Sequence, residues 1–472
     1  MAARWSALLF RSRPSVHPCV SPVCVRQLGL ALMLIIVSTT IAGADEAAGT
    51  AAPAVAAVVR ETWAIHGQFT YVEQNDSNFT APYSGPNSLT PDRAKETTDA
   101  TLSIGAALWP GAELWINEEI DQGFGLNNTL GVAGFPSGEA YKVGANQPYF
   151  RLPRLFVRDT LDGDGEREQV EATSLWLGGD RSMNRWVFTV GKFSVGDIFD
   201  SNQYAHDPRG DFLNWSAIDG GAFDYAADAW GFTVGAVAER YLGPWTFRAG
   251  VFDLSDVPNS PHLEPAFHEF QFDAEVEHRH EVAGHAGKLM LTAFDSRGRM
   301  AVLDQALQFA AANDVPIATA LIDVRQYRSR LGGVFNLEQE LTPGLGLFAR
   351  YSKAAGNVEA YEFSDIDRSL EAGLSLKGAA WGRARDTVAL ALVDNGISAE
   401  RERYLNAGGL GILVGDGRLP HPAPEEILET YYSVAVIAHA ELSVDYQWIK
   451  NPAYNEDRGP VSVFAVRVHA QF

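Results

Sequence analysis

The sequence predicts an all-β fold, a transmembrane antiparallel β-barrel of sixteen strands with eighteen as the alternative, and three observations carry that prediction. The first is the stretch Val461 to Phe472, which alternates with period two. One face carries Ser462, Phe464, Val466, Val468, Ala470 and Phe472, and the other carries Val461, Val463, Ala465, Arg467, His469 and Gln471. In a membrane barrel the apolar face meets lipid and the polar face a wet lumen. The second observation is composition: 44 Gly, 11 Trp, 15 Tyr and 25 Phe against only 5 Met lean toward β-structure. The third is that no run beyond the amino-terminal region is long and apolar enough to span a membrane as a helix. A chain that crosses without helices must close its strands into a ring, because open edges leave backbone groups unpaired in hydrocarbon.

Residues 1–44 read as a signal peptide: Arg4, Arg11, Arg13 and Arg26 precede the apolar run Leu28 to Val37, and a small-residue site ends at Ala44. Removing four arginines and no acid takes the formal net charge from −22 to −26. Such acidity argues against nucleic acid as a partner. Both cysteines, Cys19 and Cys24, lie in the removed part, so the mature chain has no disulfide to stabilise it. The Ala-rich segment 45–62 lacks alternation and reads as a mobile leader, and residues 63–472 read as one barrel domain.

Seventeen alternating segments follow, from 64–74 to 461–472, whereas single-chain bacterial barrels have an even number of strands. Connection length removes the odd one. Tight turns at Trp109-Pro110-Gly111, Leu242-Gly243-Pro244 and Thr342-Pro343-Gly344 mark one rim, expected to be periplasmic. The alternation of short and long connections holds if 150–178 is one crossing, interrupted by a bulge-like insert Asp162 to Glu171. Sixteen strands, seven short turns and eight longer loops result, with both chain ends at the short-turn rim. The longest loops are 121–149, 194–228, 296–325 and 395–428, and Leu303, Ala306, Leu307 and Ala310 sit at helical spacing within the third.

The facing rule yields a list of lumen residues. On Phe270 to Glu277 the residues Gln271, Asp273, Glu275 and Glu277 point inward, as do Arg328, Arg330, Asn336 and Glu338 on one strand, Arg350 on the next, and Asp445 and Gln447 later. Charges of both signs are cheap in a water-filled pore and costly in a sealed core. On Glu113 to Glu119 the inward set is Trp115, Asn117 and Glu119, and the neighbouring strand adds Arg154, Phe156 and Arg158. An indole face offers a stacking platform, and amide, carboxylate and guanidinium groups match vicinal hydroxyls. The plainer reading of the same residues is a charge ladder along the wall.

Enzyme-like signals are weak, and the expectation is a non-enzyme without cofactor or metal. Glu118 and Glu119 point to opposite faces of a strand and cannot act as a glycosidase pair. Asp162-Gly163-Asp164-Gly165-Glu166 lacks the full calcium-loop pattern and reads as a solvated turn. His278 and His280 have no Cys or helical His partner for a metal.

From Glu113 to Phe472 the chain resembles the carbohydrate-selective porin family of the OprB type. The matching stretches are Leu114-Trp115-Ile116-Asn117, Gly131 to Pro136, Arg151 to Leu155, Val190 to Phe193 with Phe199 to Asn202, Tyr204 to Arg209 with Phe212 to Trp215, Gly408 to Gly417, and Asn451 to Asn455. The resemblance implies a sixteen-stranded outer-membrane barrel with long extracellular loops, narrowed by an inward loop and admitting glucose and related neutral sugars. By the same resemblance loop 194–228 forms part of the constriction. Asp207, Arg209 and Asn214 join the candidates on that ground, with loop-ordering hydrogen bonds as their other reading. A terminal aromatic such as Phe472 resembles the signal that barrel assembly machinery reads. Outer-membrane lipids are the expected surroundings and a homotrimer is one assembly open to such a pore. Two alternatives stand beside this reading: a general or cation-preferring porin, and a secreted carbohydrate-binding or carbohydrate-active β protein.

Overall fold

The computed structural model describes residues 61–91, 95–140 and 143–472. The signal sequence read at 1–44 and nearly all of the leader read at 45–62 lie outside the described residues.

The first half of the barrel wall is built from β1 (Trp63–Asp76), β2 (Lys95–Trp109), β3 (Ala112–Gly123), β4 (Ala145–Asp162), β7 (Asn184–Phe193), β8 (Thr233–Leu242), β9 (Trp245–Asp253) and β10 (Phe270–Val282). The second half is β11 (His285–Met300), β12 (Gln326–Thr342), β13 (Leu345–Ala354), β14 (Arg368–Gly378), β15 (Arg383–Gly396), β16 (Glu425–Ile437), β17 (Ala440–Lys450) and β18 (Val461–Gln471). These sixteen strands form a closed ring in chain order, every neighbour antiparallel, with β1 sealing onto β18 from Gln68 opposite Gln471 to Asp76 opposite Val463. Closure satisfies the edges that an open sheet would leave bare. A separate two-stranded hairpin, β5 (Arg167–Val170) with β6 (Gly179–Ser182), completes the strand set.

Sixteen is the predicted number, but one step of the reasoning that reached it does not hold. Residues 172–178 add nothing to a crossing; β4 crosses alone, and 163–183 is an insert carrying the β5–β6 hairpin at the short-turn rim. The alternation in 172–178 builds no strand because its residues bond Glu113 of β3 and Arg158 of β4, with only an isolated bridge between Thr173 and Trp176. The other six connections on that rim are two residues long, or four at Ala379 to Gly382. Gly111 shows why glycine sits there: its φ is +102°, and a Cβ would stand 2.3 Å from the Thr160 carbonyl oxygen.

The pleat sorts the side chains as period two requires. On β18 Phe464 and Val466 are exposed outside while Val463, Ala465 and Arg467 are buried inside. Trp63, Trp109, Trp186, Trp245 and Trp381 are all exposed near the short-turn rim, an aromatic girdle of the kind found at a membrane interface. Phe472 also lies outside, its ring over Gly67, and the two residues exchange backbone hydrogen bonds of 3.0 and 3.1 Å.

The lumen is not empty. The connection 194–232 folds inward as one long loop, carrying the short helix α1 (Trp215–Ile218), and packs against one side of the wall. Asn214 starts that helix, its side chain accepting from the Ser216 N–H at 3.0 Å. The helix expected near 303–310 is present as α2 (Leu303–Asn313), followed by α3 (Ile317–Asp323). Its buried face is Leu303, Ala306 and Ala310. A fourth helix, α4 (Ala399–Asn406), lies in the connection 397–424.

Candidate permeation pathway

The inward loop is seated on aromatic residues that strands β9 to β16 turn inward. Phe199 meets Phe252 at a centroid distance of 5.9 Å, Phe223 meets Phe294 at 5.1 Å, and Phe212 lies against both Phe348 (5.5 Å) and Tyr431 (5.1 Å). Glycines on adjacent strands make room for these rings: a Cβ on Gly332 would be 2.1 Å from Phe294, and one on Gly373 2.3 Å from Phe348. Facing-rule reasoning treats the interior as polar and passes over these four aromatics; the signal was the inward aromatic set beside a glycine on the next strand.

Wall charges fasten the loops' backbones. Arg350, 1% exposed, donates to the carbonyls of Ala205 (2.6 Å) and Ala217 (3.1 Å). Asp224, in the loop, pairs with Arg330 at 3.0 Å and accepts from the N–H groups of Tyr361, Phe363 and Ser364. Glu429 accepts from Leu213 (2.5 Å) and Asn214 (3.0 Å), and Glu425 from Ala133 (3.0 Å), Gly134 (2.7 Å) and Ala453 (2.8 Å). Charge-assisted bonds of this kind are the strong ones. The expectation that Arg330, Arg350 and Asp445 face open water is therefore corrected: all three point inward, but loop 194–232 and its neighbours cover them. Arg467 is held in the same way, donating to the carbonyls of Pro208 (2.6 Å), Asp211 (2.7 Å) and Gly210 (3.1 Å).

The opposite side of the lumen stays open. A cavity of about 920 Å³ runs between the inward loop and the wall of β1 to β4, from Asn259, Glu362 and Leu413 among the long loops to Leu175, His439 and Gln471 at the short-turn rim. Gln68, Thr101, Ser103, Asn117 and Arg154 line it from the wall, and Asp207, Arg209, Trp215, Tyr225, Trp230 and Phe232 from the loop. Arg154 forms a two-pronged pair with Asp197 at 2.6 and 2.8 Å and stands over the Phe232 ring at 4.9 Å. Arg209 reaches Asp99 at 2.9 Å, Glu119 at 3.3 Å and Glu139 at 3.4 Å. Arg151 bonds Glu119 and Asp121 and lies over Trp230 at 5.5 Å.

Charges on the loops are tuned by this crowding. Burial, then the charge of Asp99, pushes the Glu139 carboxyl well above the carboxylate range. Burial acts against the Arg209 cation, but Asp99, Glu139 and Glu119 hold its pKa well above the ordinary value. Burial would likewise lower His206, yet its hydrogen bond to Asp219 at 3.1 Å and that residue's charge lift it to about 9. Its second nitrogen faces the Gly196 carbonyl at 3.1 Å, so protonated His206 ties two parts of the loop together.

Of the thirteen residues singled out in the sequence, Asn117, Arg154, Asp207 and Arg209 line the cavity. Glu119 stands just behind Arg209 and Arg151, with no exposed surface, and accepts from Thr101 at 2.8 Å. Trp115 is inward but fully covered: its ring lies over Gly105 and its Nε1 donates to Glu113 at 3.0 Å. Phe156 packs edge-on to Phe193 at 5.9 Å, and Arg158 stands over Trp176 at 3.8 Å. Both are thus wall packing rather than passage surface, because the 163–183 insert and the inward loop lie over them. Asn214 is buried, donating to the Gly134 carbonyl at 2.8 Å and to Gln447 at 3.0 Å, the loop-ordering role. Arg328 sits at the long-loop rim, bonded to Gln305 of α2 at 2.9 Å, because β12 extends above the lumen there. Glu139 and His206 went unseen in the sequence because they lie in loops, where no strand period assigns a direction, and Trp230 and Phe232 lie in the inward loop just before β8 begins at Thr233.

The residues weighed for enzyme-like chemistry have structural partners. Asp162 accepts from the Ser182 N–H at 3.0 Å, fixing the insert. His278 lies tilted against Trp245, their ring centroids 4.2 Å apart, and His280 bonds Gln339 at 3.1 Å. Among the described residues no cluster of metal-ligating side chains occurs.

A closed sixteen-stranded barrel holding a passage beside an inward-folded loop is a porin. The family model for the carbohydrate-selective porin, OprB family, matches residues 87–472, and the chain belongs to that family. Its fold is similar to the high-pH structure of Pseudomonas putida OprB, with 15% identity, a TM-score of 0.65, and coverage of 87% of this chain and 94% of that one. It is also similar to the outer membrane channel DcaP of Acinetobacter baumannii, with 10% identity, a TM-score of 0.50, and coverage of 87% and 97%. No curated protein matches the chain in sequence.

Proposed function

We propose that this protein admits neutral sugars, glucose and its relatives, across the bacterial outer membrane by facilitated diffusion without energy coupling. The observation that carries the reading is the cavity of about 920 Å³ running from the long loops to the short-turn rim. Arg154, Arg209 and Asn117 border it together with Trp230 and Phe232, the Arg154 guanidinium lying 4.9 Å over the Phe232 ring. A sugar traversing it exchanges water for guanidinium and amide partners while its C–H faces slide on the rings. The arginines are already paired with acids, so a sugar hydroxyl shares them and does not capture them, which keeps binding weak enough for exit. Asp207, at the exposed edge of the loop, and Glu119, behind Arg209, complete the polar surface in this reading. The exposed apolar outer wall with its Trp girdle fits outer-membrane lipid, and Phe472 at the sheet seam is the element offered to the assembly machinery.

Liposome swelling tests this directly. Glucose is expected to enter faster than an amino acid of similar size, and rates that scale with size alone refute sugar selectivity. A second reading, cation preference, is favoured by the acids Asp99, Glu119, Asp197 and Asp228 around the passage. Reversal potentials in a salt gradient measure it, with a potential at the anion side of zero refuting it.

A further inference from the structure

The six tight connections at the short-turn rim contrast with one insert, 163–183, between β4 and β7. A solvated excursion would need no fixing, yet this one is fastened at several points. The Arg158 guanidinium lies 3.8 Å above the Trp176 ring and donates to the Leu175 carbonyl. Glu113, 1% exposed on the wall, accepts from the Leu177 N–H at 3.2 Å and pairs with Arg181 at 3.1 Å. Arg185 holds Glu168 at 2.6 Å and the Ser182 carbonyl at 2.8 Å, and Glu61 accepts from the Gly178 N–H at 3.0 Å. The outcome is that Ala172, Thr173, Ser174 and Leu175 border the same cavity as Arg154 and Arg209, at its end near His439 and Gln471.

We propose that segment 171–178 is a fixed exit ring, a second narrowing in series with the inward loop, which sets the largest saccharide the passage releases. The proposal rests on the diffusion reading above and adds the size limit to it. Two narrowings in series divide the work: the charged zone at the loop selects by hydrogen bonding, and the exit, bordered by Thr173, Ser174 and Leu175, selects by width. Thr173 and Ser174 are exposed to the cavity and offer only neutral hydroxyls, so they add no charge barrier.

The test is thiol labelling. Cys19 and Cys24 both precede Ala44, so a thiol introduced at Ser174 is the sole one in a chain cut there. Modifying Ser174→Cys with a bulky methanethiosulfonate is expected to lower single-channel conductance about twofold or more, because a side chain that blocks a series narrowing limits the whole path. The same label on Gln169→Cys, on β5 and away from the cavity, is expected to leave it unchanged. A second variant joins Val170 to Gly179, which already pair, through Asn-Gly in place of 171–178, a two-residue hairpin turn. It is expected to raise conductance and to speed trisaccharide entry relative to glucose. Unchanged conductance on labelling Ser174→Cys overturns the exit ring; if the shortened variant does not fold, the labelling result decides alone. A conductance fall on labelling together with no block by glucose retains the ring and rejects the sugar reading.

Discussion

The two sides of this lumen obey one rule of alternation and come to opposite ends. On β1 to β4 the inward residues Gln68, Thr101, Ser103, Asn117 and Arg154 border the passage. On β9 to β17 the inward residues Phe252, Phe294, Arg330, Arg350, Glu429 and Asp445 are buried under the loop. Both sides hold arginine beside acid, but the function of the pair differs. Arg209 and Arg154 retain partly exposed side chains, 19% and 13%, whereas Arg330 and Arg350 have none. An inward charge in this barrel is thus a fastening where a loop covers it and part of the cavity lining where none does.

The sharpest way to break that contrast is Arg350→Ala. It strips two loop carbonyls of their donor and leaves Asp200, 3.4 Å away, buried without its partner, so a loss of about 3–5 kcal/mol is expected. Heat-dependent loss of the folded band in detergent electrophoresis reads it, and an unchanged transition contradicts the fastening role. Trp115→Ala probes the wall behind the insert. Its fully buried indole is expected to cost about 3–5 kcal/mol, while sugar block of ion current holds steady. A weaker block instead returns Trp115 to the permeant's path.

On the open side, Arg209→Gln is expected to weaken glucose block about tenfold, the loss of one charge-assisted hydrogen bond, and to move the reversal potential further toward the cation value. Equal block in variant and parent chain removes Arg209 from the site. The smallest effect belongs to His206, which joins the loop's own parts. Its proton is held up to about 9 in the folded loop against 6.5 for the free side chain. A raised pKa stabilises fully below about 6.5 and loses its contribution as pH climbs through about 9. Current noise is expected to grow only above that pH, and a flat profile in the parent chain, matching His206→Gln, excludes the histidine clasp.

The barrel was legible because its cause is local. Phe464 outside and Arg467 inside follow from neighbours one and two places away, and the turns at Pro343-Gly344 and Gly243-Pro244 mark strand ends by their own geometry. The insert misled the reading because 172–178 alternates without crossing. By the resemblance, loop 194–228 forms part of the constriction, and Asp207, Arg209 and Asn214 come with it as candidates. Nothing in the residues themselves separated the first two from Asn214, which is sealed in the loop.

Facing direction is a property of segments a few residues long, so the chain's order of side chains was enough to specify it. Which inward groups stay wet depends on where residues far apart in sequence meet. Asp224 finds Arg330 across 106 positions, and Arg350 finds Ala205 across 145. Those encounters were fixed by the closing of the ring around its own loop, since burial is a property of the space between elements and no single element contains it.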